Sequence, residues 1–211
     1  MESLSPQIKA VISDLGGVLI DVDKDNMCAQ MAKHSSLSKE EISAQFSAVL
    51  VSGREMGFSK GLIDRESFFE KMSRELKLDG LSFDGFNKIY SDRFTRKEDS
   101  IALLRKLAGR YPIAMLSNTN ELHYEYWARL LGDDLKLFKF LVLSFEVHLA
   151  KPDPEIYAVA AKKLGVDAQS CVFIDDVESY AKAAEGVGMK GIRFVSAAKL
   201  ESDLKKLGVS A

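Results

Sequence analysis

Apolar residues recur along this chain with two different spacings. Short continuous runs, partly β-branched, are typical of buried strands, and they occupy residues 10–13, 112–116, 140–143, 171–174 and 191–195. Helical spacing predicts helices over residues 101–107, 121–131, 154–164, 179–187 and 197–207. Strands that alternate with helices of about ten residues predict βαβ units. The predicted fold class is therefore α/β, with a doubly wound parallel sheet.

Residues 22–98 interrupt this alternation, because their apolar positions follow helical spacing throughout. Ser38 and Glu41 have the spacing of a capping box at a helix start. Two further helices are predicted to begin after the capping residues Asp64 and Ser82. We therefore predict an α/β core formed by residues 1–21 and 99–211, with residues 22–98 inserted as an α-helical cap.

Polar side chains follow three of the predicted strands at the point where each strand ends. They are Asp14, the pair Ser117-Asn118, and the pair Asp175-Asp176. In an open parallel sheet, ligands bind outside the carboxyl ends of the strands, so these side chains are expected to meet in one crevice. Any one acid alone is better explained as a helix or turn cap. Their position at the ends of separate strands favours a functional site.

Three carboxylates in one crevice need a compensating positive charge. Two like charges about 4 Å apart cost roughly 1 kcal/mol in water and about 4 kcal/mol at an effective dielectric of 20. A hard divalent cation such as Mg²⁺ takes oxygen ligands, and Lys151, in Lys-Pro-Asp-Pro, is placed by a rigid turn just after a strand region. Such a crevice suits a phosphoryl group, with a carboxylate free to attack it.

Composition is that of an ordinary globular protein, with 46% apolar residues, 28% charged residues and a net charge of −2. This charge gives no indication of a nucleic-acid partner. Cys28 and Cys171 lie far apart in the sequence, which argues against a disulfide framework. No apolar run approaches the roughly 20 residues needed to cross a bilayer, and the first residues lack a signal-peptide pattern. We therefore expect a cytoplasmic protein without membrane or protein partners.

Four stretches resemble, in order, the four motifs of the haloacid dehalogenase-like hydrolase superfamily. They are Ser-Asp14-Leu-Gly-Gly-Val, Leu-Ser117-Asn118, Lys151-Pro-Asp-Pro and Phe-Ile-Asp175-Asp176. With a helical cap between the first two, the resemblance covers nearly the whole chain and implies a Rossmann-like core. The forms of the first two motifs are most similar to those of small phosphatases acting on glucose 1-phosphate. The function implied is a Mg²⁺-dependent phosphatase of small phosphorylated metabolites.

The resemblance also implies a role for each matching residue. Asp14 would be the nucleophile, forming an aspartyl-phosphate, and a Mg²⁺ ligand. Ser117 and the backbone of Asn118 would hold the phosphate, and Lys151 would orient the nucleophile and neutralise charge. Asp176 would bind the metal, supported by Asp175. The cap would exclude water and select the substrate.

Gly16 departs from the motif, because most phosphatases of this superfamily carry a second aspartate there as general acid and base. Its backbone carbonyl can still ligate the metal. General acid–base catalysis contributes about 10² to 10⁴ in rate. The missing aspartate leaves open a slow phosphatase, a substrate whose leaving group needs little protonation, a replacement acid from the cap, or a binding protein for phosphorylated ligands with weakened catalysis. A second alternative is a metal-free 2-haloacid dehalogenase, because the same fold and nucleophile would serve it. Tyr180, where related motifs often have a small polar residue, has no role that the sequence indicates.

Other polar residues are weaker candidates. His34, His123 and His148 show no metal-ligand spacing, so packing or surface roles are expected for them. Three cationic residues of the cap could reach an anionic substrate, namely Arg54, Lys60 and Arg65. Each is more simply explained as part of a solvent-exposed surface.

Overall fold

A computed structural model of the chain describes residues 7–51 and 54–210, apart from the side chains of residues 49–51 and 54–56. The strands are β1 Ala10–Ser13, β2 Ile20–Val22, β3 Phe94–Arg96, β4 Ile113–Ser117, β5 Phe138–Leu143, β6 Cys171–Asp175 and β7 Lys190–Arg193. The helices are α1 Lys24–Ala32, α2 Lys39–Val51, α3 Arg54–Ser59, α4 Arg65–Glu75, α5 Phe83–Ser91, α6 Glu98–Ala108, α7 Glu121–Leu131, α8 Ser144–Val147, α9 Pro154–Leu164, α10 Glu178–Gly186 and α11 Ala197–Lys206.

A five-stranded sheet forms the centre of the fold, with the strand order β5-β4-β1-β6-β7 and every neighbouring pair parallel. The central strand β1 aligns Ile12 with Ala114 of β4 and with Phe173 of β6. This confirms the predicted α/β fold with a parallel sheet. The central position of β1 places the residue after it, Asp14, between the ends of β4 and β6.

Apolar side chains cover both faces of the sheet. Val11 and Met115 point to one face, where they pack with α6, α7 and α11, including the buried Trp127. Ile12 and Phe173 point to the other face, where they pack with α9 and α10. Successive residues of a strand point to opposite faces, so a strand covered on both sides must be apolar at every position. The continuous apolar runs in the sequence have this physical cause.

Helices α1 to α5 bury a third apolar cluster of their own, which includes Phe46, Phe68, Phe86 and Leu122 of α7. The predicted helix starts agree with the hydrogen bonds. In the capping box, the backbone N–H of Ser38 donates to Glu41 Oε2 at 2.8 Å, and the backbone N–H of Glu41 donates to Ser38 Oγ at 3.2 Å. The side chains of Asp64 and Ser82 cap α4 and α5 by accepting from the backbone N–H groups of Ser67 and Gly85.

One sequence prediction is wrong in this segment, because residues 22–98 are not helical throughout. Strands β2 and β3 pair antiparallel, with Asp21 opposite Thr95. Each strand has three residues, which is too short to produce a recognisable alternation, and the pairing joins positions more than 70 residues apart. The resulting ribbon brings the two ends of the helical segment together beside the sheet.

No helix in the described part of the chain is long and apolar enough to cross a membrane. Cys28 and Cys171 are both buried and free, consistent with the absence of a disulfide framework expected from their separation.

Candidate active site

The carboxyl ends of β1 and β6 bring three carboxylates together. Asp14, Asp175 and Asp176 each offer an oxygen, and these oxygens all lie within 4.8 Å of one another. Asp14 and Asp175 are buried, whereas Asp176 is exposed. Ser117, at the end of the neighbouring strand β4, is buried beside them. The structure therefore places these predicted residues at one edge of the sheet.

Lys151 lies between two of these carboxylates with its ammonium group buried. Its Nζ is 2.9 Å from Asp14 Oδ1 and 2.6 Å from Asp175 Oδ2, and the side chain is only 1% exposed. The rings of Tyr180 and Phe173 flank the ammonium, with centroids 5.1 and 5.5 Å from Nζ. Tyr180 thus has a structural role that its sequence position did not indicate, because it covers the charged group with an aromatic face.

Asn118 fixes the backbone of the loop that carries this lysine. Its side-chain Nδ2 donates to the Lys151 carbonyl at 3.0 Å, and its Oδ1 accepts from the Lys151 N–H at 2.8 Å. This pair of hydrogen bonds fixes the loop after β4 against the loop between α8 and α9. The Asn118 side chain is therefore engaged within the protein.

The two adjacent acids differ in how many of their oxygens are already engaged. Asp175 Oδ2 accepts from Lys151, and Asp175 Oδ1 accepts from the Val177 N–H at 2.9 Å. Asp176 instead points towards Gly17, whose φ is +72°. A Cβ atom built at Gly17 would lie 2.1 Å from Asp176 Oδ2. The Asp176 carboxylate occupies space that any other residue at position 17 would fill.

Burial and mutual repulsion shift the titration of this cluster. Burial raises the pKa of Asp14 from 3.8 to about 6, although the Lys151 charge opposes the shift. Burial likewise raises the pKa values of Asp175 and Asp176. The pKa of Lys151 is raised as well, because attraction to the two carboxylates outweighs the effect of burial. Each of these carboxyl groups therefore ionises less readily here than in water.

This donor set fits a divalent cation. Three carboxylates, when ionised, and one ammonium leave a net charge of −2 at the site. Carboxylate and backbone carbonyl oxygens are the ligands preferred by Mg²⁺. Asp14 and Asp176 offer the less engaged carboxylates, and Gly16 can add its carbonyl from the same loop. A Cβ atom built at Gly16 would contact only Val22 Cγ2, at 3.8 Å, so there is free space next to the Gly16 Cα.

A cavity of about 270 Å³ opens beside these residues. At one end Gly16, Ser117 and Asn118 line it, and towards α1 and α2 it is lined by apolar groups such as Met27 and Phe46. The charged residues that line the cavity within the described part of the chain are both positive, Lys24 and Arg93. The pocket is therefore electropositive next to an acidic cluster.

Several of the weaker sequence candidates do not contribute to this cavity. Arg65 pairs with Glu121 Oε2 at 2.7 Å and with Glu125 Oε1 at 2.9 Å, and so joins α4 to α7. His148 Nδ1 lies 2.7 Å from the Lys60 carbonyl. The side chain of Arg54 lies outside the described residues.

His123 and Arg93 do line the cavity, although the sequence interpretation gave His123 a packing role and did not single out Arg93. Arg93 lies three positions after Tyr90, the last buried aromatic residue of α5. It belongs to a short stretch before β3 that has no periodic pattern. A charged residue in such a stretch gives no sequence signal that separates a pocket wall from an exposed loop.

The chain matches the family model described as haloacid dehalogenase-like hydrolase over residues 8–188. Among curated proteins it is 34% identical to the chloroplast flavin mononucleotide hydrolase 1 of Arabidopsis thaliana over 159 residues, 72% of this chain and 61% of that enzyme. The chain thus spans about three fifths of the length of this plant relative. It is 25% identical to the D-ribitol-5-phosphate phosphatase of Bacteroides thetaiotaomicron, over 87% of this chain and 90% of that enzyme.

A solved structure with the same architecture is the wild-type enzyme bt-2542 from Bacteroides thetaiotaomicron, in complex with magnesium and inorganic phosphate. The TM-score is 0.75 at 28% identity, and the match covers 87% of this chain and 92% of that chain. The similarity therefore extends over both the sheet and the helical segment.

Proposed function

The chain belongs to the haloacid dehalogenase-like hydrolase family, and from this membership we propose that it is a Mg²⁺-dependent phosphatase of small phosphorylated metabolites such as sugar phosphates. The observation that carries the proposal is the placement of Lys151 between Asp14 and Asp175, beside the exposed carboxylate of Asp176. The similarity to an enzyme named as a D-ribitol-5-phosphate phosphatase supports it. So does the similarity to the family enzyme bt-2542, which was crystallised with magnesium and inorganic phosphate.

The chemistry we propose proceeds through a covalent intermediate on Asp14. One carboxylate oxygen of Asp14 bonds to the phosphorus while the bond from phosphorus to the ester oxygen breaks, and the alcohol leaves with a proton taken from water. Water then attacks the phosphorus of the aspartyl-phosphate while the bond from phosphorus to the Asp14 oxygen breaks, which releases phosphate and restores the carboxylate. The proton that the attacking water loses neutralises the hydroxide left by the first step. Splitting hydrolysis in this way replaces one difficult step with two easier ones.

Each remaining residue has a role in binding or orientation. Lys151 fixes the Asp14 side chain and offsets part of the charge that builds up near it. Ser117 and the Asn118 backbone hold the phosphoryl oxygens at the end of β4. When bound by Asp14, Asp176 and the Gly16 carbonyl, Mg²⁺ would neutralise phosphoryl oxygens and polarise the phosphorus.

The cap, residues 22–98, closes the cavity on the side away from the sheet in this proposal. Its ends are joined by the β2–β3 ribbon, which provides a compact connection to the core. A cavity of about 270 Å³ accommodates a small ester and excludes bulk water from the reacting groups. Selection of the substrate would then depend on residues of the cap that line this cavity.

The acidic cluster also weighs against the two alternatives. A metal-free dehalogenase would leave three carboxylates opposed by one lysine, which is electrostatically unfavourable. A binding protein without turnover would need no nucleophile held in an ion pair, yet Asp14 is held by Lys151 at 2.9 Å. Chloride release from a 2-haloacid in EDTA would revive the first alternative, and binding of phosphate esters without hydrolysis would favour the second.

Metal removal gives the direct test of the proposed function. We expect phosphate release from a panel of sugar phosphates and one activated aryl phosphate to fall to background in EDTA and to return when Mg²⁺ is added in excess. The loss is expected because Lys151 is the one cation that forms ion pairs with the acidic cluster among the described residues, so in EDTA two of its three charges stay without a paired cation. Unchanged release in EDTA would contradict the proposal.

The two adjacent glycines provide a matched pair of variants for the metal site. In Gly17→Ala the new methyl group would displace the Asp176 carboxylate, and we expect about a tenfold to hundredfold loss of activity, partly restored by raised Mg²⁺. Gly16→Ala keeps the carbonyl and meets only an ordinary contact, so a much smaller loss is expected. Equal losses in the two variants, measured as phosphate release against Mg²⁺ concentration, would argue against Asp176 as a ligand.

A further inference from the structure

Arg93 lies in the cavity wall without an anionic partner among the residues that the structure describes. Its guanidinium carbon is 5.0 Å from the centroid of the Tyr90 ring and 5.7 Å from that of Phe94, so two aromatic rings hold the group in place. Within the described part of the chain, no carboxylate forms an ion pair with it, in contrast to Arg65, Arg96 and Arg105. A half-buried cation fixed by rings and lacking a counter-ion is poorly compensated.

The hydrogen bonds of Arg93 leave most of its donors unused. Nη1 contacts the thioether sulfur of Met27 at 3.0 Å, and Nη2 lies 3.0 Å from His123 Nε2. A thioether is a weak acceptor, and a guanidinium has five N–H donors. The Nε atom is buried and has no hydrogen-bond partner in the described structure. The group is therefore short of acceptors.

His123 cannot satisfy all the donors directed at it. Arg93 Nη2 faces its Nε2, and Asn120 Nδ2 faces its Nδ1 at 3.1 Å. The Asn120 orientation is fixed, because its Oδ1 accepts from the His123 backbone N–H at 3.0 Å. A neutral imidazole has one lone pair, so it can accept from only one of these two groups. Asn120 Nδ2 also donates to the Tyr90 hydroxyl at 3.1 Å, whereas Arg93 Nη2 has no other hydrogen-bond partner among the described residues. Burial, helped by the Arg93 charge, keeps the His123 pKa well below 6.5, which holds the ring neutral.

This donor-rich wall is separate from the groups assigned to phosphate chemistry. Arg93 contacts Met27 of α1 and His123 in the first turn of α7, whereas Lys151 and the three acids contact one another. Gly16, Ser117 and Asn118 line the same cavity as Arg93. One ligand can therefore reach both regions, with its phosphoryl group near Asp14 and its other end against Arg93.

We infer that the substrate carries a second oxyanionic group, a carboxylate, which is bound by Arg93 in the wall of the cavity. This inference rests on the proposed phosphatase function. It narrows the substrate class from sugar phosphates without a carboxylate to phosphate monoesters of hydroxy acids. A carboxylate supplies the acceptors that Arg93 lacks and matches the planar fork of its donors. Lys24, also in the wall, adds a second positive charge that favours such a ligand.

The test compares two esters that differ in one group. In 3-phosphoglycerate a carboxylate stands where glycerol 3-phosphate has a hydroxymethyl group, and the phosphate ester is otherwise the same. We expect wild type to hydrolyse 3-phosphoglycerate with a kcat/KM about tenfold or more above that for glycerol 3-phosphate. Arg93→Gln is expected to lower this ratio by about 10-fold to 100-fold, and Arg93→Lys by less. Arg65→Gln, which removes an arginine already paired with carboxylates, should leave the ratio unchanged.

Calorimetric titration of Asp14→Asn with the two esters keeps the inference testable if the chain does not turn them over. Tighter binding of 3-phosphoglycerate, lost when Arg93→Gln is added, supports the inference. Absence of a preference in wild type, or a preference that survives Arg93→Gln, overturns it. Hydrolysis of both esters without a preference refutes the carboxylate subsite and leaves the phosphatase function standing. Selective binding of 3-phosphoglycerate without hydrolysis supports the carboxylate subsite and refutes the phosphatase function. Thermal melting of the Arg93 variants verifies that they are folded.

Discussion

Asp14→Asn is expected to lower phosphate release by about 10⁴-fold or more while the protein stays folded. The amide cannot attack phosphorus, and in the proposed mechanism no other group of the described site is placed to do so. Its neighbours remain in position, because Lys151 still pairs with Asp175 at 2.6 Å. The measurement is phosphate release with Mg²⁺, set beside Asp25→Asn, which removes an exposed aspartate paired with Lys39 and should leave release unchanged.

Stability gives a second readout for the same variant. The pKa of Asp14 is raised to about 6 in the folded protein from 3.8, so its stabilising contribution is present below pH 4 and is lost as pH rises through 6. Asparagine avoids this loss, and in EDTA at pH 8 we expect the variant to be more stable than wild type by about 3 kcal/mol. The difference should disappear near pH 4. Full activity in Asp14→Asn would refute the proposed nucleophile.

Lys151→Met should produce the largest loss of stability of any change at this site. Removing the ammonium leaves the buried carboxylates of Asp14 and Asp175 without their shared partner. Breaking a buried ion pair by removing one member costs about 3 to 5 kcal/mol. Activity should fall by about 10² to 10³ as well, because charge near the phosphoryl group is no longer offset.

The pH dependence separates this electrostatic cause from lost packing. Without the lysine, the pKa values of the two carboxyls rise further, so the deficit grows as pH increases and shrinks as they become protonated. Denaturant unfolding at pH 5 and pH 8 should therefore show a clearly larger deficit at pH 8. The control Lys97→Met removes a surface lysine paired with Asp21 at 2.8 Å and should cost less than about 1 kcal/mol at both values. A deficit independent of pH would indicate that packing, not charge, is responsible.

The strands of the sheet were predictable because their apolar composition can be recognised within each strand alone. A strand covered on both faces must be apolar throughout, so runs such as Ala10–Ser13 and Cys171–Asp175 are visible without any partner. Helices α7 and α9 were predicted at their observed bounds, since capping residues and a following glycine mark their ends. The polar residues at the strand ends could then be assigned to one edge.

Partner-dependent features were not predictable from the same sequence. The β2–β3 ribbon is formed by two three-residue strands that pair across the whole helical segment, so neither strand has a pattern of its own. The role of Tyr180 depends on the Lys151 side chain that it covers, and that lysine lies 29 positions earlier in the chain. Pairing of this kind becomes visible only when the chain is folded.

The sequence by itself determined the α/β fold, the family resemblance and the convergence of Asp14, Lys151 and the adjacent acids Asp175 and Asp176. These depend on residue types at strand ends, and parallel topology brings such ends together. Only the tertiary structure decided which charges are compensated. It showed that Arg65 is occupied by two glutamates whereas Arg93 faces the cavity between two rings, short of acceptors. Compensation is a property of spatial neighbours, and the neighbours of a side chain are fixed by packing between distant segments.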